Sequence, residues 1–233
     1  MRGKSNSKTF WNKEYKTPGI FNLSTEPAED LLKFTRWLDR EYGKGFLEQN
    51  TFVLDIGCGN GRNLIYLARE FRVKGVGYDI SEEAIDQAKK ASAGLHVKFF
   101  ARTIEGKIDL EDESVDVVLD MMASHYLKEK DREIYLKELL RVLKPGGWLL
   151  LKSFLKEEDR HTERLLRDNP AGEDDSYIHP EHGTHEHVWA EDKMRDFYGK
   201  DFDIDKFERS GKHIMHGKAF KRRHFVAYLR KRY

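Results

Sequence analysis

Apolar positions in the middle of the chain follow two alternating rhythms. Short apolar runs each give way to a polar stretch whose apolar residues recur at helical spacing. "TFVLDIG" (51–57) is the first run, ending in glycine as a buried parallel strand does. From Asn60 to Phe71 the residues Leu64, Ile65, Leu67, Ala68 and Phe71 form one helical stripe. "VKGVGYD" predicts a second strand, and Ser81 is placed to cap a helix opening with Glu82 and Glu83 and burying Ala84, Ile85 and Ala88. "HVKFFA" and "SVDVVLDMM" predict the third and fourth strands. An amphipathic helix follows over Glu129–Leu143, and Lys144-Pro145-Gly146-Gly147 breaks it and launches "WLLLKSF" as the fifth strand. Strands alternating with helices predict an α/β fold with a doubly wound parallel sheet and ligands at the strands' carboxyl ends.

Two segments lie outside that rhythm. Residues 1–50 hold the aromatic cluster Phe10, Trp11, Tyr15 and Phe21 and a predicted helix from Glu29 to Tyr42. Residues 154–188 are polar, acidic and histidine-rich. The chain closes with a helix near Ala190–Tyr198 and two strand-like runs, "FDIDKFE" and "HFVAYLR", which read as a hairpin-like pair.

Composition narrows the class. At 233 residues with 39% hydrophobic positions the chain can bury a sizeable core, while 36% charged residues make a polar surface. No apolar run reaches the roughly 18 residues of a membrane helix, and "MRGKSNSKTFWNKEYK" lacks the apolar stretch of a secretory signal. One cysteine, Cys58, excludes an internal disulfide, and the expected compartment is the cytoplasm. The net charge of +1 is uneven: residues 211–233 carry eight basic side chains and no acid, leaving −7 for the rest. That basic end suits either an anionic partner such as RNA or ordinary solvation beside a strand.

The most informative stretch is "VLDIGCGNGR" (53–62). Gly57, Gly59 and Gly61 stand between a strand and a helix, where positive φ and close ligand approach favour glycine and amide N–H groups face the ligand. A dinucleotide fingerprint has its third glycine one position later, where this chain has Arg62. Asp79 ends the second strand about 20 residues downstream, the place of a carboxylate that accepts hydrogen bonds from ribose hydroxyls. A nucleoside cofactor is therefore expected. Asp55 at the first strand's end either meets a ligand ammonium or organises the turn.

"VLDIGCGNGR", "GYDIS", "LEDESVDVVLDMM" and "LLRVLKPGGWLLL", in that order over roughly residues 50–153, resemble the successive motifs of the class I S-adenosylmethionine-dependent methyltransferases. "GCGNGRN" is also similar to the tellurite- and thiopurine-type small-molecule group. The resemblance implies a Rossmann-like seven-stranded sheet, mostly parallel with an antiparallel last strand. It implies one methyltransferase domain over 1–233, with an N-terminal segment 1–50, a cofactor core 51–153, a histidine-rich lid or insertion 154–188, and a closing helix and strand pair 189–233. S-adenosylmethionine is the implied cofactor. Asp55 and the turn Gly57, Cys58, Gly59, Asn60 and Gly61 would face its methionine part, Asp79 its ribose and Ile80 its adenine. Thr103 and Ile104 would meet the adenine after the third strand, with Glu105 beside them. Asp120 and Met121 would meet the methionine end.

Methyl transfer requires a nucleophile held in line with the methyl, and a base only where the nucleophile arrives protonated. "DMMASHYL" places His125 and Tyr126 after the fourth strand as catalytic candidates: His125 as a base titrating near pH 7 or as a packed side chain, Tyr126 as an aromatic face beside a cationic sulfur. His179, His182, His185 and His187 with Glu181 and Glu186 match no standard helical metal spacing, and no metal is expected. Their segment reads as a substrate lid or an inert loop. Phe10, Trp11 and Tyr15 either close over the pocket or pin a tail to the core.

The expected function is methyl transfer to a heteroatom of a small molecule by a monomer or homodimer. The alternatives are an RNA or protein methyltransferase using the basic end 211–233, and a non-catalytic cofactor-binding subunit. "DMMA" stands where the N/D-P-P-Y/F tetrapeptide of base-amino methylation would stand, which disfavours that chemistry.

Overall fold

The computed structural model describes residues 7–21, 23–210, 214–215, 218–219 and 222–233. In chain order the elements are α1 (Ser7–Lys16), α2 (Glu29–Tyr42), β1 (Phe52–Ile56), α3 (Arg62–Phe71), β2 (Lys74–Asp79), α4 (Glu82–Ala91), β3 (Val97–Ala101) and β4 (Val115–Met121). A single 3-10 turn, Ser124–Tyr126, precedes α5 (Glu129–Val142) and β5 (Leu143–Phe154). Then come α6 (Arg160–Asp168), β6 (Ser176–Ile178), β7 (His185–His187), α7 (Glu191–Tyr198), β8 (Phe202–Arg209), the short β9 (Ile214–Met215) and β10 (Lys218–Ala219), and β11 (His224–Lys231).

The main sheet runs β3-β2-β1-β4-β5-β11-β8. Its first five strands are parallel, and β11, the last in the chain, is antiparallel to both β5 and β8. The seven-stranded, mostly parallel sheet is therefore the one expected. The strand order reverses at β1, between β2 and β4, which opens a crevice at their carboxyl ends.

Successive strand residues point to opposite faces, and each face is covered by helices. Leu54, Leu149, Leu151, Ala227 and Leu229 pack with Tyr135 and Leu139 of α5 and Met194 and Tyr198 of α7. Val53, Trp148, Leu150, Val226 and Tyr228 pack with α2 through Leu31, Phe34 and Leu38, and with Leu64 and Leu67 of α3. Both faces being dry explains why the strands read as continuous apolar runs.

One local feature differs from expectation and two others add detail to it. The breaker cluster does not precede β5 but lies within it. Leu143 pairs Val115, the register then shifts, and Trp148 pairs Val117, with Gly146 at φ 76° inside the bulge. Residues 154–188 are structured: Asp159 caps α6 by accepting from the His161 and Thr162 amides, and β6 and β7 form an antiparallel pair. The N-terminal aromatics Phe10, Trp11 and Tyr15 lie on a helix, α1.

Candidate functional site

The turn after β1 takes its shape from three left-handed glycines, at φ 63° (Gly57), 56° (Gly59) and 79° (Gly61). A Cβ on Gly61 would stand 2.8 Å from Phe99 of β3 and 3.0 Å from Ala88 of α4. Gly61 thus supplies the close packing that a dinucleotide site draws from a glycine one position later, and Arg62 is free to reach the cavity's edge and donate to the Glu26 carbonyl at 3.1 Å. The Gly59 amide donates to Asp79 Oδ2 at 2.9 Å and the Cys58 amide to the Tyr78 carbonyl at 3.0 Å, tying the turn to the end of β2. Asp79 Oδ1 accepts from the Ser81 amide at 2.8 Å.

A cavity of about 290 Å³ opens over these carboxyl ends. Asp55, Gly57, Cys58, Gly59 and Asn60 line it from β1 and its turn; Asp79 and Ile80 line it from β2. Thr103, Ile104 and Glu105 stand after β3, Met121 ends β4 and Tyr126 follows it. Most of the expected cofactor residues are therefore brought together on one wall.

Two are not. Gly61 acts behind the wall as a packing position. Asp120 is fully buried and shapes the turn after β4: Oδ1 accepts from the Ala123 and Ser124 amides at 3.3 and 3.1 Å, and Oδ2 from the Tyr135 hydroxyl at 2.9 Å. Sequence reasoning also passed over Tyr78, Arg102, Asn63, Met122 and Leu127, which line the cavity together with Ser7, Arg62 and Ala123. Tyr78, Asn63, Met122 and Leu127 fall inside the quoted motifs, but the motifs alone do not say which of their side chains face the cavity.

The cavity's acids are poised for a ligand with donors. Burial pushes the Asp55 carboxyl up to about 8, helped by the nearby Asp79 charge, and Asp55 Oδ2 is buried without a hydrogen-bond partner. Burial also raises Asp79, against the pull of the Ser81 and Gly59 amides. A buried carboxyl with one oxygen unpaired favours a ligand that brings a cation or N–H donors, and the apolar Ile80 and Ile104 suit a flat base. These residues fit a nucleoside with a cationic end.

The roof comes from the N-terminus. Trp11, Tyr15, Phe21, Leu23 and Ser24 line the cavity from above. Glu14 is buried and accepts the Gly19, Ile20 and Phe21 amides at 2.9, 2.6 and 2.7 Å, folding that segment back on α1. Asn12 Oδ1 accepts from Ser81 Oγ at 2.9 Å, and Gln87 donates to the Tyr15 carbonyl at 2.9 Å, anchoring α1 on α4. The aromatic helix both closes over the pocket and is pinned to the core.

Tyr126 reaches the wall, edge-on to Trp11 with ring centroids 6.0 Å apart. His125 is not among the lining residues. It sits behind, its ring 3.9 Å from that of Tyr126 and 5.1 Å from Phe154. Burial lowers its pKa to about 4, which corrects the expectation of titration near pH 7.

The β6–β7 pair carries the histidines. His179 and His182 stack with ring centroids 3.7 Å apart and planes 4° apart, and Phe10 of α1 stacks on His182 at 4.8 Å. Candidate ligand atoms of His179, His182 and Glu186 lie within 4.8 Å of one another. A metal, however, binds in the plane of an imidazole, along the nitrogen lone pair. Two parallel, stacked rings share no such point, and Glu186 Oε2 already accepts from the Tyr177 hydroxyl and from Arg222 Nη1. The arrangement does not fit a metal centre.

Residues 53–147 match the model of a family described as a methyltransferase domain. The chain is 30% identical over 140 residues to the 2-methyl-6-phytyl-1,4-hydroquinone methyltransferase of Synechocystis, covering 59% of this chain and 43% of that one. It is 28% identical over 173 residues to a fatty-acid O-methyltransferase of Mycolicibacterium smegmatis, covering 72% and 61%. The chain thus spans about half the length of these curated relatives, 43% of one and 61% of the other. Among solved structures, a SAM-dependent methyltransferase of Methanosarcina mazei superposes with TM-score 0.68 at 25% identity, covering 82% of this chain and 97% of that one.

Proposed function

We propose, from a chain that belongs to the class I S-adenosylmethionine-dependent methyltransferases, that it moves a methyl group to a heteroatom of a small molecule. The cofactor of this class supplies a methyl on a sulfonium, already electrophilic. What the chain's own residues contribute is placement and exclusion of water. Asp79 and the turn amides hold the nucleoside part, and Asp55 takes the cationic end. Tyr126 and Trp11 present aromatic faces where the acceptor enters.

The observation that carries this reading is the roof. The cavity lies beneath α1 and Phe21, Leu23 and Ser24, a closure suited to an acceptor small enough to be enclosed. Names of relatives agree: one acts on a hydroquinone and another on a fatty acid.

The basic end gives little support to a nucleic-acid acceptor. Lys212 and Lys221 lie outside the described residues, as does the Lys218 side chain. Arg222 pairs Glu186, Arg223 pairs Glu158, Arg230 and Arg232 pair Asp203, and Lys231 donates to the Leu140 and Leu143 carbonyls. Of the five described basic side chains, four are thus already paired with acids within the fold.

With His125 neutral behind the wall and burial raising the Tyr126 phenol, neither group is set up as a strong base at neutral pH. The reading is tested by incubating the protein with methyl-labelled S-adenosylmethionine and either a metabolite pool or total RNA. Label in small molecules supports it, and label confined to RNA or protein overturns it.

A further inference from the structure

The acids and bases on the cavity wall are divided along the sheet. Asp55, Arg62, Asp79, Arg102 and Glu105 all stand on or just after β1, β2 and β3. In the sheet order β3-β2-β1-β4, the β4 end and the roof add no acidic or basic side chain to the lining among the described residues. From that side come Trp11, Phe21, Leu23, Met122, Tyr126 and Leu127. Met122 takes φ 72° directly after β4, so it and its neighbour Met121 both line the cavity, where successive strand residues would point to opposite faces. Charges behind this half are matched: Asp120 accepts two amides and the Tyr135 hydroxyl, and Glu186 pairs Arg222.

The charged half suits the nucleoside and its cationic end, which leaves the uncharged half to the acceptor. A charged acceptor would lose water there with no counter-charge supplied by that side of the wall. An acceptor that must shed a proton meets a second obstacle, because His125 lies behind the wall and burial pushes the Tyr126 phenol up. At pH 7 an alkylamine, titrating near ~10.4, is protonated, and a phenol, near ~10, keeps its proton. A ring nitrogen of the imidazole kind, near ~6.5, has its lone pair free. A flat ring also suits the contiguous aromatics of this side, where Trp11 stacks with Phe21 at 5.1 Å and stands edge-on to Tyr126 at 6.0 Å.

We infer that the acceptor is an uncharged nitrogen heteroarene, methylated at a ring nitrogen and bound against Trp11 and Tyr126. The nitrogen lone pair forms the N–CH3 bond as the S–CH3 bond breaks, and that bond's electron pair stays on sulfur. Positive charge passes from sulfur to nitrogen, and no proton leaves. Charge therefore grows on the acceptor beside aromatic faces that attract a cation, and no base is required. The assignment rests on the methyl-transfer reading and narrows its heteroatom to nitrogen.

Two measurements test it. With methyl-labelled S-adenosylmethionine, the protein should label pyridine, quinoline or isoquinoline but not phenol, thiophenol or octylamine, at a rate flat from pH 7 to 9. Calorimetry on the protein loaded with S-adenosylhomocysteine is independent of turnover. There, quinoline and its methylated product 1-methylquinolinium should each bind at least about ten-fold tighter than the anion 2-naphthoate. Trp11→Leu, with circular dichroism unchanged, should weaken the cation about five-fold and quinoline less. Trp11→Phe keeps an aromatic face and should retain most of the cation's affinity. Label in the metabolite pool but in no heteroarene, a rate climbing with pH, naphthoate binding as well as quinoline, or unchanged cation affinity in Trp11→Leu would each overturn the proposal. Failure of S-adenosylhomocysteine to bind, or label in no acceptor of any kind, would instead strike the methyl-transfer reading.

Discussion

The Tyr15 hydroxyl lies within clash distance of the position a Cβ on Gly59 would occupy. The roof and the cofactor turn are therefore in direct contact, and Gly59 carries two separable demands: its φ of 56° and the space taken by Tyr15. Gly59→Ala should lower stability by about 1–2 kcal/mol from backbone strain alone, plus the clash. In a Tyr15→Phe background the clash part should largely vanish. A double-mutant cycle on urea midpoints reads the coupling, and strict additivity would deny the contact.

Asp79 accepts two amides, so its removal should act on both fold and binding. Asp79→Ala should cost about 1–3 kcal/mol for each amide left buried and unpaired. It should also weaken S-adenosylhomocysteine binding by about 100-fold or more, as expected when more than one charge-assisted hydrogen bond is lost. Asp79→Asn keeps the shape and should weaken binding with a smaller loss of stability. Equal affinity in the asparagine variant would remove the ribose assignment.

Asp55, raised to about 8, is mostly protonated at pH 7. A cationic ligand group favours the carboxylate, so cofactor binding at pH 7 should release a proton. Binding enthalpies measured in phosphate and in Tris should then differ in proportion to the buffers' ionisation enthalpies, and Asp55→Asn should bring them together. Buffer-independent heats in the parent protein would contradict this role.

Acid stability follows from the buried imidazoles. Burial lowers His125 and His182 to about 4 and His187 to about 3, from an ordinary 6.5. A base depressed in the folded state contributes stability fully present above pH 6.5 and lost as pH falls toward its folded value. Asp55 works oppositely, stabilising most below the ordinary 3.8 and losing that contribution as pH rises toward 8. Burial also lowers His161, His179 and His185 and raises Asp79 and Asp120, so among the described residues six lowered imidazoles stand against three raised carboxyls; urea midpoints should climb from pH 4.5 to 6.5, and His187→Gln should flatten the climb. The pH–rate profile should show no limb from His125 above pH 5.5, and His125→Gln should leave its shape there unchanged.

The sheet was legible because the inner parallel strands β2, β1, β4 and β5 are largely buried on both faces, though the edge strand β3 exposes Phe100, and because the runs are punctuated by glycine or a capped helix, as at Ser81, whose Oγ accepts from the Ala84 amide at 3.2 Å. The cofactor wall was legible because Gly57, Gly59 and Asp79 combine a positive-φ turn with a strand-end acid. Three things were not. Asp120 is an acid at the right strand end, but only the folded chain shows its oxygens consumed by the following turn and by Tyr135. Gly146 looks like a helix breaker, yet its left-handed φ serves a bulge inside β5. Arg222 is one of eight basic residues in the last 23, and its buried, half-paired state depends on Phe154 and Glu186, 68 and 36 positions away in sequence.

The central claim is that the crevice over β1, β2 and β4 holds S-adenosylmethionine. Isothermal titration of the folded protein with S-adenosylhomocysteine tests it most directly. One site per chain with micromolar affinity, abolished by Asp79→Ala, is the predicted result. No saturable heat at millimolar ligand, with circular dichroism confirming the fold, would contradict it.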